Sequence, residues 1–205
     1  MIASMGLRLE DPAKTVFTES TVLDALNFAQ KTVCNMLDNS YLVELQQIAE
    51  DKTVTNGKCA FDTIFGANVN PLRNGIVGVY DETNNLWCTM IEPNEAKQLE
   101  NSYLSGSSSN AVAYVFADSV YVKPTTVTTI DVWYIKSPTD LTASSTECEL
   151  NIALQEMVLD FAESQLWRID SKSDRATSAY NSAINMVKTL NERYAVEISI
   201  GSKGR

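Results

Sequence analysis

The chain contains no histidine among its 205 residues. That absence removes the commonest general base, the commonest zinc ligand and every Ser-His-Asp or Cys-His arrangement. Cations are also short: 16 Lys and Arg face 26 Asp and Glu, for a net charge of −10. Such a chain is not built to grip nucleic acid, because phosphate contacts need clustered Lys and Arg, and acidic charge by itself favours solubility. Glycine is sparse, and no Gly-x-Gly-x-x-Gly or Walker-type phosphate loop is present. The four cysteines, Cys34, Cys59, Cys88 and Cys148, lie too far apart for a zinc knuckle and sit in apolar runs. They read as buried free thiols rather than a disulfide framework, which points to a reducing compartment or assembly inside a cell. No run approaches the roughly 18 apolar residues of a membrane span. The start, Met1-Ile-Ala-Ser-Met-Gly-Leu-Arg8, lacks the basic and apolar segments of a secretory signal.

What is present is an ordinary globular composition, long enough to bury its own core without staples. Residues 1–19 show no period and read as an extended N-terminal arm. A first helix comes next, with Thr21 as cap and Asp24 in capping-box position. Val22, Ala25, Leu26, Ala29, Val33 and Leu37 form its apolar stripe. A shorter helix is expected from Leu42, Leu45, Ile48 and Ala49, ending before the turn signal Asn56-Gly57.

From Cys59 to Pro138 the apolar runs are short, β-branched and aromatic. They predict strands at 75–80, 86–91, 111–116, 120–122 and 126–135, with hairpins at residues 81–85 and at Asp118-Ser119. A short helix is expected within 93–104, and a flexible loop at 105–110.

Two long amphipathic helices complete the pattern, at about 149–169 and 173–195. Their short connection favours antiparallel packing. Beyond them Val196, Ile198 and Ile200 alternate with Glu197 and Ser199. That is a strand-like tail suited to adding to a partner's sheet or slotting into its groove. The expected fold class is therefore α+β. An antiparallel bundle of N- and C-terminal helices (20–57 and 139–196) carries an inserted, mostly antiparallel β region (58–138). The arm 1–19 and the tail 197–205 flank it.

Candidate chemistry is thin. Glu156, Asp160 and Glu163, with Trp167, share helical spacing and would suit Mg²⁺ in a carboxylate-based hydrolase. The competing reading is a solvated face or an intersubunit contact. Trp133-Tyr134 and Tyr121 would suit base stacking, but only Lys123 and Lys136 are near, so core or interface packing is the simpler reading. No catalytic residue, metal site or cofactor is assigned. A soluble, non-enzymatic interaction module is one reading of such a chain.

One succession of parts supports a more specific alternative. A helix pair precedes a β region holding Val120-Tyr-Val-Lys-Pro124 and Asp131-Val-Trp-Tyr-Ile-Lys-Ser-Pro138. Leu141-Thr142 then leads into a long helix and a last, Ala-rich helix containing Asn185. Over about residues 20–196 this resembles the head-to-tail connector (adaptor, or ring) proteins of tailed bacteriophages, with Tyr134-Ile-Lys-Ser-Pro138 standing at the family's Tyr-x-x-x-Pro phrase. The resemblance implies a structural virion protein assembled in the bacterial cytoplasm. It implies a homo-oligomeric ring of twelve copies below the portal, joined to a tail or second ring protein, through which DNA passes without specific binding. It further implies that the tail docks the portal through Val196, Ile198, Ile200, Lys203 and Arg205. The helices bearing Glu156, Asp160, Trp167, Tyr180 and Tyr194 would form the ring interface.

Overall fold

The computed structural model describes residues 1–11, 13, 15–66, 71–100, 106–143 and 147–201, with 194–201 described by their backbone. The fold is α+β and divides into two compact units, Met1–Leu45 with Ser137–Arg205, and Gln46–Lys136.

The first unit is helical. It holds α1 (Ile2–Arg8) and α2 (Glu19–Met36); after α3 (Phe61–Phe65) in the other unit, it resumes with α4 (Ile152–Ile169) and α5 (Ser173–Gly201). The N-terminal arm is not extended. Ile2, Met5 and Leu9 recur at helical spacing and are all buried, as is Phe17. The cap of helix α2 lies three residues ahead of the expected one. Thr18, not Thr21, is the N-cap, and its hydroxyl accepts from the Thr21 amide at 3.3 Å. The expected stripe is buried, and Gln30 is buried with it. The Gln30 amide is not wasted: Nε2 donates to the Thr139 carbonyl at 2.9 Å and to Asn27 Oδ1 at 3.1 Å. Asn27 in turn exchanges both of its amide groups with the Leu141 backbone, at 2.9 and 2.7 Å. These bonds pin the Leu141-Thr142 connector to α2.

Helix α4 begins at Ile152, three residues later in the chain than the Glu149 start read from periodicity, and is capped by Asn151, whose Oδ1 accepts from the Ala153 amide. It packs against α2 and α5, burying Leu154, Met157, Val158, Phe161, Ala162 and Leu166. Each fully buried apolar side chain of this size contributes about 1.5–3 kcal/mol. Contacts between α4 and α5 run in opposite directions: Trp167 meets Arg175, Phe161 meets Tyr180, and Met157 shares a groove with Asn185 and Met186. The pair is thus an antiparallel hairpin. Farther along α5, Asn191 donates to the Met36 carbonyl and accepts from the Asp38 amide, and Tyr41 donates to the Leu190 carbonyl.

The second unit holds two four-stranded sheets. Its strands are β1 (Gln46–Thr53), β2 (Lys58–Ala60), β3 (Pro71–Asp81), β4 (Leu86–Trp87), β5 (Thr89–Met90), β6 (Val112–Phe116), β7 (Ser119–Lys123) and β8 (Thr129–Lys136). One sheet runs β1-β8-β3-β4 and the other β2-β7-β6-β5. All pairs are antiparallel except β5 with β6. Ala49, Val79, Ile130, Val132 and Tyr134 of the first sheet share one core with Cys59, Ala113, Val120 and Val122 of the second. All four cysteines are buried free thiols, and burial pushes Cys88 up to about 12. Both expected hairpins form: Tyr80 pairs Trp87 across residues 81–85, and Phe116 pairs Ser119.

Residues 46–53 are strand β1 rather than the second half of a helix. Leu42, Leu45, Ile48 and Ala49 mimic helical spacing, yet Ile48 is 48% exposed while Ala49 is buried. Pairing with β8, Ile48 opposite Trp133 and Ala49 opposite Val132, overrides the local pattern. The turn Asn56-Gly57 is real, with both residues at positive φ (53° and 74°). A Cβ on Gly57 would stand 2.8 Å from the Val122 carbonyl oxygen. The helix expected within 93–104 is a 3-10 turn over Ala96–Glu100, and residues 101–104 lie outside the described ones.

The tail is the largest revision. Backbone of α5 stays helical through Gly201, so Val196, Ile198 and Ile200 are not in a strand. A strand needs a partner to satisfy its backbone, whereas a helix gains one hydrogen bond for each residue added. Lys203 and Arg205 lie outside the described residues.

Candidate functional site

The three helical carboxylates read from the sequence do converge. They converge on Arg8 of α1. Its Nη1 lies 2.5 Å from Asp160 Oδ1 and 3.2 Å from Glu163 Oε2, and its Nη2 pairs with Glu156. Burial opposes the guanidinium charge, but the hydrogen bond and charge of Asp160 outweigh it and hold Arg8 above its ordinary value. The second oxygen of Asp160 accepts from Ser182 of α5 at 2.7 Å. Glu163 Oε1 accepts from the Trp167 indole at 3.0 Å. The position that the hydrolase reading gives to Mg²⁺ is thus filled by the chain's own cation. Among the described residues, no group of three or more metal-ligating side chains stands together with room for an ion.

Trp167 extends this cluster. It is 5% exposed. The Phe17 ring meets it edge-on at 6.4 Å, and the Arg175 guanidinium lies 4.8 Å above it. Leu9, Asp11, Phe17, Trp167, Lys172 and Arg175 are among the residues around a shallow cavity of about 370 Å³. The turn that delivers Phe17 is organised by Asp11. Its carboxylate accepts from the Thr15, Val16 and Phe17 amides and from the Thr15 hydroxyl, at 2.7–3.0 Å.

The Phe17 amide bond is the leading reason that Asp11 titrates well below the ordinary carboxylate value of 3.8, with the Thr15 and Val16 bonds adding to it. The folded value is depressed, so the stabilisation is complete above about pH 4 and fades as pH falls through the folded value. The protection factors of the Thr15, Val16 and Phe17 amides should fall between pH 4 and pH 2. D11N should show the same loss at pH 7; unchanged protection in D11N would show that the turn holds without the carboxylate.

The sequence-derived interface residues are distributed unevenly. Asp160 and Trp167 are buried inside the helical unit. Glu156 remains largely exposed. Tyr180 is 38% exposed, with Phe161 against its edge and Arg168 over its face at 5.5 Å. Only the backbone of Tyr194 is described. Near it lies an apolar groove of about 330 Å³, lined by Met157, Asn185, Met186, Thr189, Leu190 and Arg193. Arg8 itself escaped the sequence reading, because it sits in the segment taken as an extended arm. The signal was there: Ile2, Met5 and Leu9 at three- and four-residue steps set a helix, and Arg8 is its only strongly charged residue.

In the β unit the aromatic phrase divides between two faces. Tyr134 is buried against Phe65, ring centroids 4.6 Å apart, and its hydroxyl donates to Gln47 at 3.3 Å. Trp133 points to the opposite face. Tyr121 stacks on Tyr114 at 5.0 Å.

A helical unit whose most conspicuous polar cluster clasps its own N-terminal helix, in a chain that also carries an inserted β unit, has the build of a structural protein. The chain belongs to the SU10 adaptor protein family, whose model matches residues 1–199. It is accordingly a phage structural adaptor protein, in keeping with the connector resemblance read from the sequence. None of the curated proteins matches the chain. Among the described residues no helix is long and apolar enough to cross a membrane.

Proposed function

We propose that this chain forms a ring that joins the portal to the tail and extends the DNA channel. The family match over residues 1–199 carries the reading. A closed ring requires two complementary surfaces on each copy. The helical hairpin offers exposed apolar material for them: the groove around Met186 and Leu190, and the exposed side chains Ile152 and Ile169. In this reading Glu156, Tyr180 and Tyr194 face the neighbouring copy, while Asp160 and Trp167 hold the helix that presents them. The ring has twelve copies, is built in the host cytoplasm and ends in the virion. Its other neighbour is a tail or second ring protein. A charge of −10 per copy favours passage of DNA without binding.

The segment bearing Val196, Ile198, Ile200, Lys203 and Arg205 docks the portal. The helical backbone of residues 196–201 favours insertion into a groove over strand addition.

Electron microscopy of the purified chain mixed with its portal protein tests both steps. Twelvefold rings seated on the portal are expected. Deleting 196–205 should leave thermal stability unchanged and abolish seating. A chain that never forms rings on the portal sinks the main reading; seating by the truncated chain sinks only the docking assignment.

A further inference from the structure

The outer face of the β1-β8-β3-β4 sheet carries a group of rings with open surface. Trp87 is 58% exposed although it lies in a strand. It packs on Trp133 at 4.6 Å and on Tyr80 at 5.4 Å, and Tyr80 lies 6.4 Å from Trp133. Gly78 makes room: a Cβ there would meet the Trp87 ring at 3.0 Å. Ile48, opposite Trp133 in the register, extends the patch onto β1.

Next to the rings stands a concentration of carboxylates. Tyr80 pairs with Asp131, so Asp131 projects from the same face. Asp131 Oδ1 accepts from the Asp51 amide at 2.8 Å, which brings the Asp51 bend alongside. Interaction with the Asp131 carboxyl, then burial and the charges of Asp51 and Asp81, holds Glu82 above its ordinary value. The adjacent strand cation, Lys52, pairs opposite Ile130 and acts on buried Cys59.

We propose that this face docks an arginine-bearing segment of a neighbouring polypeptide. The guanidinium would stack on Trp87 and Trp133 and be forked by Asp131 and Glu82. Charge complementarity selects this occupant. A planar cation gains from both the ring faces and the carboxylates. A second copy of a chain with charge −10, or a nucleic acid, would bring more negative charge to the patch. The inference rests on the β unit alone and does not depend on ring formation.

The chain's three tryptophans make a direct test. The full-length protein is titrated with a capped Gly-Arg-Gly-Arg-Gly peptide while the indole N–H resonances are followed by NMR. Trp87 and Trp133 should shift and saturate, while Trp167, held by Glu163, stays still. The citrulline counterpart should bind roughly tenfold more weakly. E82Q, which keeps the side chain's size and its reach to Asp131, should weaken the arginine peptide severalfold with no change in unfolding midpoint; W87A should abolish the Trp133 shift. The proposal is overturned by no shift at millimolar peptide, by equal shifts of all three indoles, or by equal binding of the citrulline peptide. It is equally overturned if Trp87 shifts with protein concentration alone, which would identify a second copy, or if a single-stranded oligonucleotide gives the same response.

Discussion

Replacing Trp167 with alanine is expected to lower the midpoint of thermal unfolding by roughly 10 °C. Removing a buried tryptophan costs about 3–5 kcal/mol through lost burial and the cavity left behind. In a chain of this size each kcal/mol moves the midpoint by about 2–4 °C. The ring is 5% exposed, sits against Phe17 and Arg175, and donates to Glu163. W167F keeps much of the volume but leaves Glu163 without its indole donor, so a loss of about 1 kcal/mol is expected. Calorimetry on dilute protein separates this role from a contact between copies. Were Trp167 an intersubunit residue, W167A would leave the midpoint of the isolated chain in place and weaken only assembly.

The second large effect belongs to Arg8. R8A leaves Asp160, 8% exposed, with Ser182 as its remaining partner and brings Glu156 and Glu163 close to it with no cation between them. Removing one partner of a buried ion pair costs about 3–5 kcal/mol. The Arg8 side chain keeps 28% of its surface in water, so about 2 kcal/mol is the expected loss. Exchange of the α1 amides should rise with it, because Arg8 is the polar tie between α1 and α4. R8K should recover only part of the loss, since an ammonium cannot fork two carboxylates. The R8A and W167A effects should not add. Both residues bind Glu163, and a coupling of about 0.5–3 kcal/mol is expected for residues in one network. Strict additivity in a double-mutant cycle would refute the shared cluster.

Much of this architecture can be read from residue order. The stripe of α2 and the broad apolar face of α4 were readable because a helix that buries one side must repeat at three and four residues. The two hairpins were readable because polar turn residues interrupt β-branched runs. The family could be recognised from the succession of parts and the Tyr134-Ile-Lys-Ser-Pro138 phrase, and residues 1–199 match its model. Where local and long-range preferences conflict, the sequence misleads. Residues 46–53 carry a helical spacing and form a strand, because β8 offers a register that buries Ala49. Residues 196–200 carry a strand alternation and continue a helix, because no partner strand is paired to them.

By itself the sequence determined which motifs are missing: it holds no histidine, no glycine phosphate loop and no zinc-knuckle cysteine spacing. It also determined the acidic charge and the fold class, which depend on composition and on periods shorter than two helical turns. Tertiary structure alone decided what the carboxylates of α4 do. Glu156, Asp160 and Glu163 look the same in sequence whether they face solvent, a metal or a neighbour. Arg8 lies 148 to 155 residues away along the chain, and only folding brings it among them. Tertiary structure likewise set Trp87 open beside Trp133 and put Glu82 against Asp131. Side-chain meaning at such sites is fixed by contacts across the chain, and those are set by packing rather than by local pattern.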